Sequence, residues 1–470
     1  MRALTSRTLR PLQARRAIEL AGLRVAPALT GGLIFWSHTS SLGHGAVAFA
    51  SMLAAASLVD RSRFPLGLLP AARIALALMA TVLGALLTFA VIAATGPAPA
   101  FGDVSSAVIG AWLVLALGAW FRVRVDEMAK VRVVVIGNRD FALDLSRELD
   151  ESPVSGYELV GWLGQSGPPT DALEHLGTLR DVREVVVNRG IGLLVCAPGD
   201  DLSAADEHLV FEAIADFCID LPVRMIGANQ LYEHVLGHVP IGTIDGAWFR
   251  YIMHPRFRPT SPLSKRIFDA IGATLIAAFF APALIAAAIA IKLGDGGPVI
   301  YRQRRVGENG SPFEILKLRT MRVDAEADGQ ARWSEANDDR VTRVGAILRR
   351  THIDELPQLW NVLRGEMTLV GPRPERPELV GEIEQQFPHY SRRHLVKPGI
   401  AGWAQLRCGY AGSDLGTAWK LCHDLYYVKH SSLLGDTLIL FETFLETFRD
   451  AHRALRSPSE RFVLGEEIRG

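Results

Sequence analysis

The stretch SKRIFDAIGATLIAAFFAPALIAAAIAIK, residues 264–292, decides what kind of fold the chain can adopt. Ile267 to Ile291 is apolar throughout except for Asp269 and Thr274. At about 1.5 Å per helical residue it is long enough for a bilayer core of about 30 Å. Lys265–Arg266 and Lys292 mark its ends, and Pro282 interrupts it. A proline removes one helical hydrogen bond and kinks the rod. A crossing would carry the following arginine-rich segment, with Arg302, Arg304 and Arg305, to the outer side and so violate the positive-inside trend. The alternative is a re-entrant helix that dips into one leaflet and returns at Ala281–Pro282, with its kinked backbone satisfied by neighbouring protein. Asp269 follows Lys265 by four residues, so the two can pair on one helical face.

Upstream lie four further apolar stretches, at roughly 17–37, 42–59, 74–95 and 104–121. The first carries Glu19 and Arg24 and is the weakest. Arg61, Arg63 and Arg73 flank the loop between the second and third, and Arg122, Arg124, Lys130 and Arg132 follow the fourth. The segments 38–41 and 96–103 hold no Lys or Arg. This asymmetry predicts that the N-terminus, the middle loop and everything after residue 122 are cytoplasmic. The basic residues 1–16 precede no compact apolar core with a cleavage site, so a cleaved signal peptide is not expected. Hydrophobic residues make up 49% of the 470 and charged residues 21%, and the mean hydropathy is +0.19, which is too apolar for an ordinary soluble enzyme. Lys+Arg and Asp+Glu balance at 50 each, which does not argue for a nucleic-acid partner. Cys196, Cys218, Cys408 and Cys422 form no CxxC pair and read as reduced cytosolic thiols.

Between the two apolar regions the pattern alternates. VRVVVIG (131–137), YELVGWLG (157–164), LLVCAPG (193–199) and LPVRMIG (221–227) read as buried strands, with helical segments between them. Alternation of this kind predicts a parallel, doubly wound α/β domain. Its first turn, GNRDFA, has Arg139 where a dinucleotide fingerprint needs its second glycine, so a structural, assembly or regulatory role is favoured over nicotinamide binding.

Downstream, RRTHIDELPQLWNVLRGEMTLVGPRPERPE (349–378) concentrates the chemistry. Pro357 suits a first helical turn and Gly365 a helix end, predicting a short helix PQLWNVLR. Asp354 and Glu355 precede that helix, in a positive field that favours ionised carboxylates and attracts phosphate. Asp354 alone would read as a helix cap. With Arg349, Arg350, His352 and Arg373 close by in the chain, the pattern suits phosphoryl transfer, in which the protein positions groups and stabilises charge.

These residues carry a resemblance. KRIFD with its mid-helix proline, GPVIYRQRRVGENGSPFEILKLRTM, DELPQLWNVLRGEMTLVGPRPERPE, and KPGIAGWAQL followed by DLYYVKH resemble the bacterial polyprenyl-phosphate sugar-1-phosphate transferases over about 262–450. The preceding spans and Rossmann-like domain resemble the long form of that family of monotopic phosphoglycosyl transferases, of the undecaprenyl-phosphate galactose or glucose phosphotransferase type. The resemblance implies three regions: a membrane region 1–125 with four transmembrane helices, a Rossmann-like cytoplasmic domain 126–258, and a mostly α catalytic domain 259–470 with the re-entrant helix. It implies transfer of hexose 1-phosphate from a UDP-hexose to undecaprenyl phosphate at the bacterial inner membrane, initiating exopolysaccharide or O-antigen synthesis. Asp354 is then the nucleophile and Glu355 its partner in metal or proton handling, both near a Mg²⁺ (or Mn²⁺). Lys317, Arg319, Arg349, Arg373 and Arg407 become substrate-binding candidates, and Lys265 and Arg266 candidates for the lipid phosphate. A homodimer has surface available in the spans and middle domain.

Two departures stand out. LRCGY (406–410) replaces an Asn-Gly-Arg run, leaving Arg407 shifted by two positions, and Ala281–Pro282 replaces a Ser-Pro break. Residues 418–448 mix aromatic and apolar residues at helical spacing and read either as core helices or as helices resting on the interface; His423 and Asp424 read as structural rather than as metal ligands. A membrane-anchored nucleotide-sugar dehydratase would need a glycine-rich loop and a Tyr-x-x-x-Lys pair after residue 260, and neither is visible. A non-catalytic scaffold would leave the acid pair without purpose. The topology has a direct check. A cysteine placed at Asp295 is labelled by impermeant maleimide only from the cytoplasmic side; periplasmic labelling would establish a crossing.

Overall fold

The computed structural model describes residues 26–39, 46–51, 130–151, 157–164, 173–197, 212–221, 223–241, 263–322, 340–387, 389–408 and 414–447, with a few isolated positions. The chain divides into two units, Met1–Gly237 and His238–Gly470. Parts of the first two expected spans are described, as helix α1 (Ala26–Thr39) and the helical residues 46–51. The expected spans at 74–95 and 104–121 lie outside the described residues apart from isolated positions. Ala28, Ala48 and Ile92 meet in a small buried cluster, the kind of contact that small side chains permit between apolar helices.

The middle domain starts with β1 (Val131–Gly137), α2 (Arg139–Glu151) and β2 (Tyr157–Leu163), and continues with α3 (Val182–Arg189), β3 (Leu193–Ala197) and β4 (Arg224–Gly227). The four strands form one parallel sheet in the order β2-β1-β3-β4. Val133 to Ile136 are buried because β1 lies between two neighbours and helices cover the faces. At the turn after β1, where the strand order reverses, the Asn138 N–H donates to the Ala197 carbonyl at 2.6 Å. The Asn138 Oδ1 accepts the Phe141 N–H at 3.0 Å, and the Phe141 ring meets Tyr232 edge-on at 5.8 Å. Protein atoms therefore occupy part of the crevice in which doubly wound folds bind pyrophosphates.

The second unit begins earlier than residue 259: the Val239 N–H donates to the Cys422 carbonyl at 3.1 Å, and His238 packs on Trp419 with ring centroids 4.6 Å apart. Next comes α4 (Leu263–Asp295), among the described residues the one helix long and apolar enough to cross a membrane. The expected break at Pro282 does not end the helix, which continues on both sides. The alanine-rich flanks are strong helix formers, so the loss of one hydrogen bond is tolerated. Asp269, Ala273, Ala287 and Ile291 fall on one stripe of α4 and are buried, whereas Ile267, Ile271, Leu275, Phe279, Ile285 and Ile289 are exposed.

Both ends of α4 rest on the same unit. Near its start, Asp269 accepts hydrogen bonds from Thr368 Oγ1 at 2.7 Å and from the Leu369 N–H at 3.1 Å. Lys265 reaches the Val370 carbonyl at 3.3 Å and Asp436 at 2.7 Å, with the expected Asp269 partner at 3.9 Å. Near its end, Ala287 and Ile291 cluster with Leu318 and Leu348.

The rest of the unit positions the site. A hairpin pairs β5 (Ile300–Val306) with β6 (Pro312–Leu318), Tyr301 opposite Lys317. Helix α5 (Arg343–Arg350) is capped by Thr342, whose Oγ1 accepts the Gly345 N–H at 2.9 Å. A 3₁₀ turn, Ile353–Glu355, leads to α6 (Gln358–Arg364), which Gly365 stops in a left-handed conformation at φ 87°. Short parallel strands β7 (Thr368–Val370) and β8 (Gly399–Ala401) follow, with α7 (Pro377–Gln386) and a 3₁₀ segment Tyr390–Leu395 between them. The unit ends with α8 (Trp403–Cys408), α9 (Asp414–His430) and α10 (Leu433–Thr447). The four cysteines named above are free and buried.

Helix α5 approaches the strand end closely enough that a Cβ on Gly345 would lie 2.0 Å from the Thr320 carbonyl oxygen. Gly345→Ala is therefore expected to destabilise the second unit by about 1–3 kcal/mol through overpacking. Thermal denaturation in detergent checks this, and an unchanged midpoint would contradict the close approach.

Candidate active site

Three separate pieces of chain converge on one carboxylate. Glu355, in the 3₁₀ turn, accepts from Lys317 Nζ on β6 at 2.8 Å and from Arg373 Nη2 on the loop after β7 at 2.8 Å. Burial alone would raise the Glu355 pKa, but the Arg373 and Lys317 charges and hydrogen bonds outweigh it and hold the group far below the usual carboxylate range. Burial, with Arg373 beside it, lowers the pKa of Lys317. Glu355 therefore stays ionised at neutral pH, held between Lys317 and Arg373.

Asp354 is the contrasting neighbour. It is buried, and among the described residues no hydrogen bond or ion pair engages its carboxylate. Burial and then the Glu355 charge push its pKa up, against the opposing pull of Lys317, His352 and Arg349. The turn that presents the pair is strained at His352, whose φ of 55° lies in the left-handed region. Histidine is enriched in that region over most side chains, though the conformation remains costly. Pro357, not Asp354, stands at the N-cap position of α6, with no side-chain cap hydrogen bond.

The other expected residues divide. Arg349 donates from Nε to Thr320 Oγ1 at 2.9 Å and lies close enough to act on the Asp354 charge. Arg319 is buried, its N–H donating to the Val299 carbonyl at 2.9 Å. The Arg407 guanidinium lies over the Trp403 ring at 5.5 Å, beside His423 and Cys408. Lys265 is engaged as described above, and Arg266 donates to the carbonyls of Val362 and Leu363 at the end of α6. Both lipid-phosphate candidates are thus tied into the protein.

Sequence reasoning missed the residues that hold the site together. Asn361 is fully buried and joins α6 to β6: it accepts the Leu316 N–H at 3.1 Å and donates to the Glu314 carbonyl and to Glu366, each at 2.7 Å. Arg393 is buried against Asp424 at 2.7 Å and donates to the Arg373 carbonyl at 2.9 Å. Arg305 donates to the neighbouring Pro374 carbonyl at 3.0 Å. Arginines thus grip the GPRP loop by its backbone on both sides of Pro374, where proline leaves no N–H to pair. An asparagine inside an amphipathic helix, and an arginine in a run RRH, carry no signal that separates them from surface residues.

The donor set can be weighed for a divalent cation. Among the described residues no group of three or more His, Cys, Asp or Glu could hold one. Mg²⁺ commonly takes one or two carboxylates and completes its shell with phosphates and waters. Unpartnered Asp354, with the remaining lone pairs of Glu355, fits that mode.

The family model for bacterial sugar transferase matches residues 260–450. A relative from Aeromonas hydrophila, named UDP-N-acetylgalactosamine-undecaprenyl-phosphate N-acetylgalactosaminephosphotransferase, is 34% identical over 63% of this chain and 64% of its own length. UDP-glucose:undecaprenyl-phosphate glucose-1-phosphate transferase of Escherichia coli (strain K12) is 43% identical over 68% of each. The protein of the same description from Caulobacter vibrioides is 44% identical over 40% of this chain and 71% of its own.

The Glu355 junction has a measurable signature. Glu355→Gln leaves Lys317 and Arg373 without their anion, at an expected cost of about 3–5 kcal/mol at neutral pH. Because the folded-state pKa is depressed, this contribution is complete above the ordinary value of 4.5 and fades as pH falls toward the folded value. Denaturation midpoints of wild type and variant should therefore differ by a constant amount from pH 8 to about 5 and converge below it. A gap that widens on acidification would refute the assignment.

Proposed function

Because the chain belongs to the bacterial sugar transferase family, we propose that it transfers hexose 1-phosphate from a UDP-hexose to undecaprenyl phosphate, releasing UMP and initiating exopolysaccharide, capsule or O-antigen synthesis. The observation that carries the reading to specific residues is the unpartnered, buried Asp354 beside a Glu355 already held by two cations.

In this mechanism an Asp354 carboxylate oxygen attacks the phosphorus that bears the sugar. The bond from that phosphorus to the bridging oxygen breaks, and UMP leaves with the electron pair. The sugar phosphate is then an acyl phosphate on Asp354. An oxygen of undecaprenyl phosphate attacks the same phosphorus, the bond to Asp354 breaks, and the carboxylate is regenerated with the polyprenyl diphosphate sugar as product. One hard displacement is split into two easier ones. Lys317, Arg373 and Arg349 offset the repulsion between the carboxylate and the diphosphate, with Arg319 supporting the same strand end and Arg407 a more distant candidate. Glu355 orients two of these cations. A Mg²⁺ (or Mn²⁺) held by Asp354 and Glu355 would supply Lewis-acid shielding of the phosphate oxygens when bound.

The membrane completes the reading. Contact of both ends of α4 with one unit supports a helix that enters and leaves from the same face, with the catalytic unit cytoplasmic at the bacterial inner membrane. Four N-terminal transmembrane helices anchor the chain, and Lys265 and Arg266 lie at headgroup depth. The Lys265 ammonium retains donor capacity beyond its internal partners. Phe217 and Ile219, exposed on the middle domain at 65% and 83%, support pairing of two copies there.

Membranes supplied with UDP-[¹⁴C]hexose, Mg²⁺ and undecaprenyl phosphate are expected to yield labelled lipid and UMP. Asp354→Asn should lower UMP release at least about 10³-fold even without acceptor, as loss of a nucleophile requires. No product with UDP-glucose, UDP-galactose or their N-acetyl forms would overturn the function. Normal UMP release by the variant would overturn the covalent step alone.

A further inference from the structure

We infer that the outer face of α6 is a docking surface for the phosphate headgroup of the acceptor lipid, with Trp360 seated in the bilayer interface and Arg364 meeting the phosphate. The inference rests on the transferase reading given above and names a part of the site that this reading leaves open.

Helix α6 buries Gln358, Leu359, Asn361 and Val362. It leaves Trp360 53% exposed, and Arg364 is also exposed. The two are four residues apart and so share one face. The Arg364 guanidinium lies over the Trp360 ring, 5.6 Å from its centroid, a cation–π contact that consumes no N–H donor and leaves the guanidinium N–H groups for an anion. Among the described residues no hydrogen bond or ion pair engages Arg364.

Two features turn that exposed pair toward lipid. The first is what Arg266 does. Its guanidinium donates to the Val362 and Leu363 carbonyls, so it neutralises the negative end of α6. Arg364 is then not needed as a cap. The second is position. The same Arg266 guanidinium lies 3.5 Å from where a Cβ on Gly365 would be, so the first turn of α4 abuts the last turn of α6. Ile267 and Ile271, the first residues of the exposed apolar stripe of α4, follow directly on the Arg266 that touches the end of α6. The exposed apolar stripe thus starts on the helix end that touches α6, and apolar surface together with a Trp–Arg pair is the combination that settles at a headgroup layer. Helix α6 starts just after the acid turn and rises about 10 Å along its length. A phosphate held at its far end lies on the order of 10 Å from the acid turn and can advance once UMP has left.

The test separates the two half-reactions in the full chain, reconstituted in nanodiscs. Exchange of labelled UMP into UDP-hexose, without lipid acceptor, reports the first step; transfer with varied undecaprenyl phosphate reports the second. Arg364→Gln is expected to raise KM for undecaprenyl phosphate at least tenfold, with kcat and UMP exchange within threefold of wild type. Arg364→Lys should recover part of the loss, and Trp360→Ala should raise the same KM by a smaller factor that Trp360→Phe restores. An unchanged acceptor KM in Arg364→Gln overturns the inference, as does a variant whose UMP exchange falls in parallel with transfer, because Arg364 would then serve the fold or the donor. Absence of UMP exchange in the wild type overturns the underlying reading instead.

Discussion

The ion pairs that Glu355 makes with Lys317 and Arg373 are the constraint on which the catalytic unit turns. They tie together the end of a hairpin, a strained 3₁₀ turn and a proline-bounded loop, pieces that have no backbone ladder in common. Buried ion pairs gain little net stability over apolar packing, since desolvation offsets most of the attraction. What this junction secures is geometry. With Glu355 committed to two cations, Asp354 is the carboxylate left over, and division of labour between adjacent acids follows from their different surroundings.

A second layer keeps the junction rigid. Arg393 and Arg305 hold the GPRP loop through the carbonyls of Arg373 and Pro374. Glu375 is in turn surrounded by Lys420, Arg393 and Arg305, at 3.5 to 3.9 Å. Burial works against the ionised Glu375, yet these cations keep its pKa below the ordinary value. Behind them Asp424 completes a buried pair with Arg393. The cationic excess of this region is thus partly structural, since Arg305 and Arg393 are engaged by carbonyls and carboxylates of the unit itself.

Much of this was legible from residue order. The strands at 131–137 and 157–163 and the short helix stopped by Gly365 follow from periodicity, Pro357 and a glycine that must turn left-handed. The acid pair stood out by its density of charge. Side-chain direction was not legible. Lys265 and Arg266 look like a headgroup pair in one dimension, yet Asp436 and the end of α6 lie close enough to engage them. Arg373 reads as a free cation between two prolines until Glu355, 18 positions earlier, arrives beside it. Pro282 marks a kink in sequence, but whether a helix ends there depends on its alanine-rich flanks. Asn361 and Arg393 act through contacts that only the folded chain creates.

The two-ended docking of α4 also bears on the order in which the protein is made. Asp269 finds Thr368 and Leu369 about a hundred positions later, and Lys265 finds Asp436 only after a further stretch, 171 residues on. Chain emerges from the ribosome at about 5–20 residues per second. The helix is therefore exposed for several seconds or more before its polar anchors exist. During that interval its exposed apolar faces need cover from a bilayer or a chaperone, and its polar contacts with the unit are completed when the C-terminal helices arrive. The polar anchoring of this segment is thus a long-range tertiary event, completed only when the last helices of the catalytic unit are made.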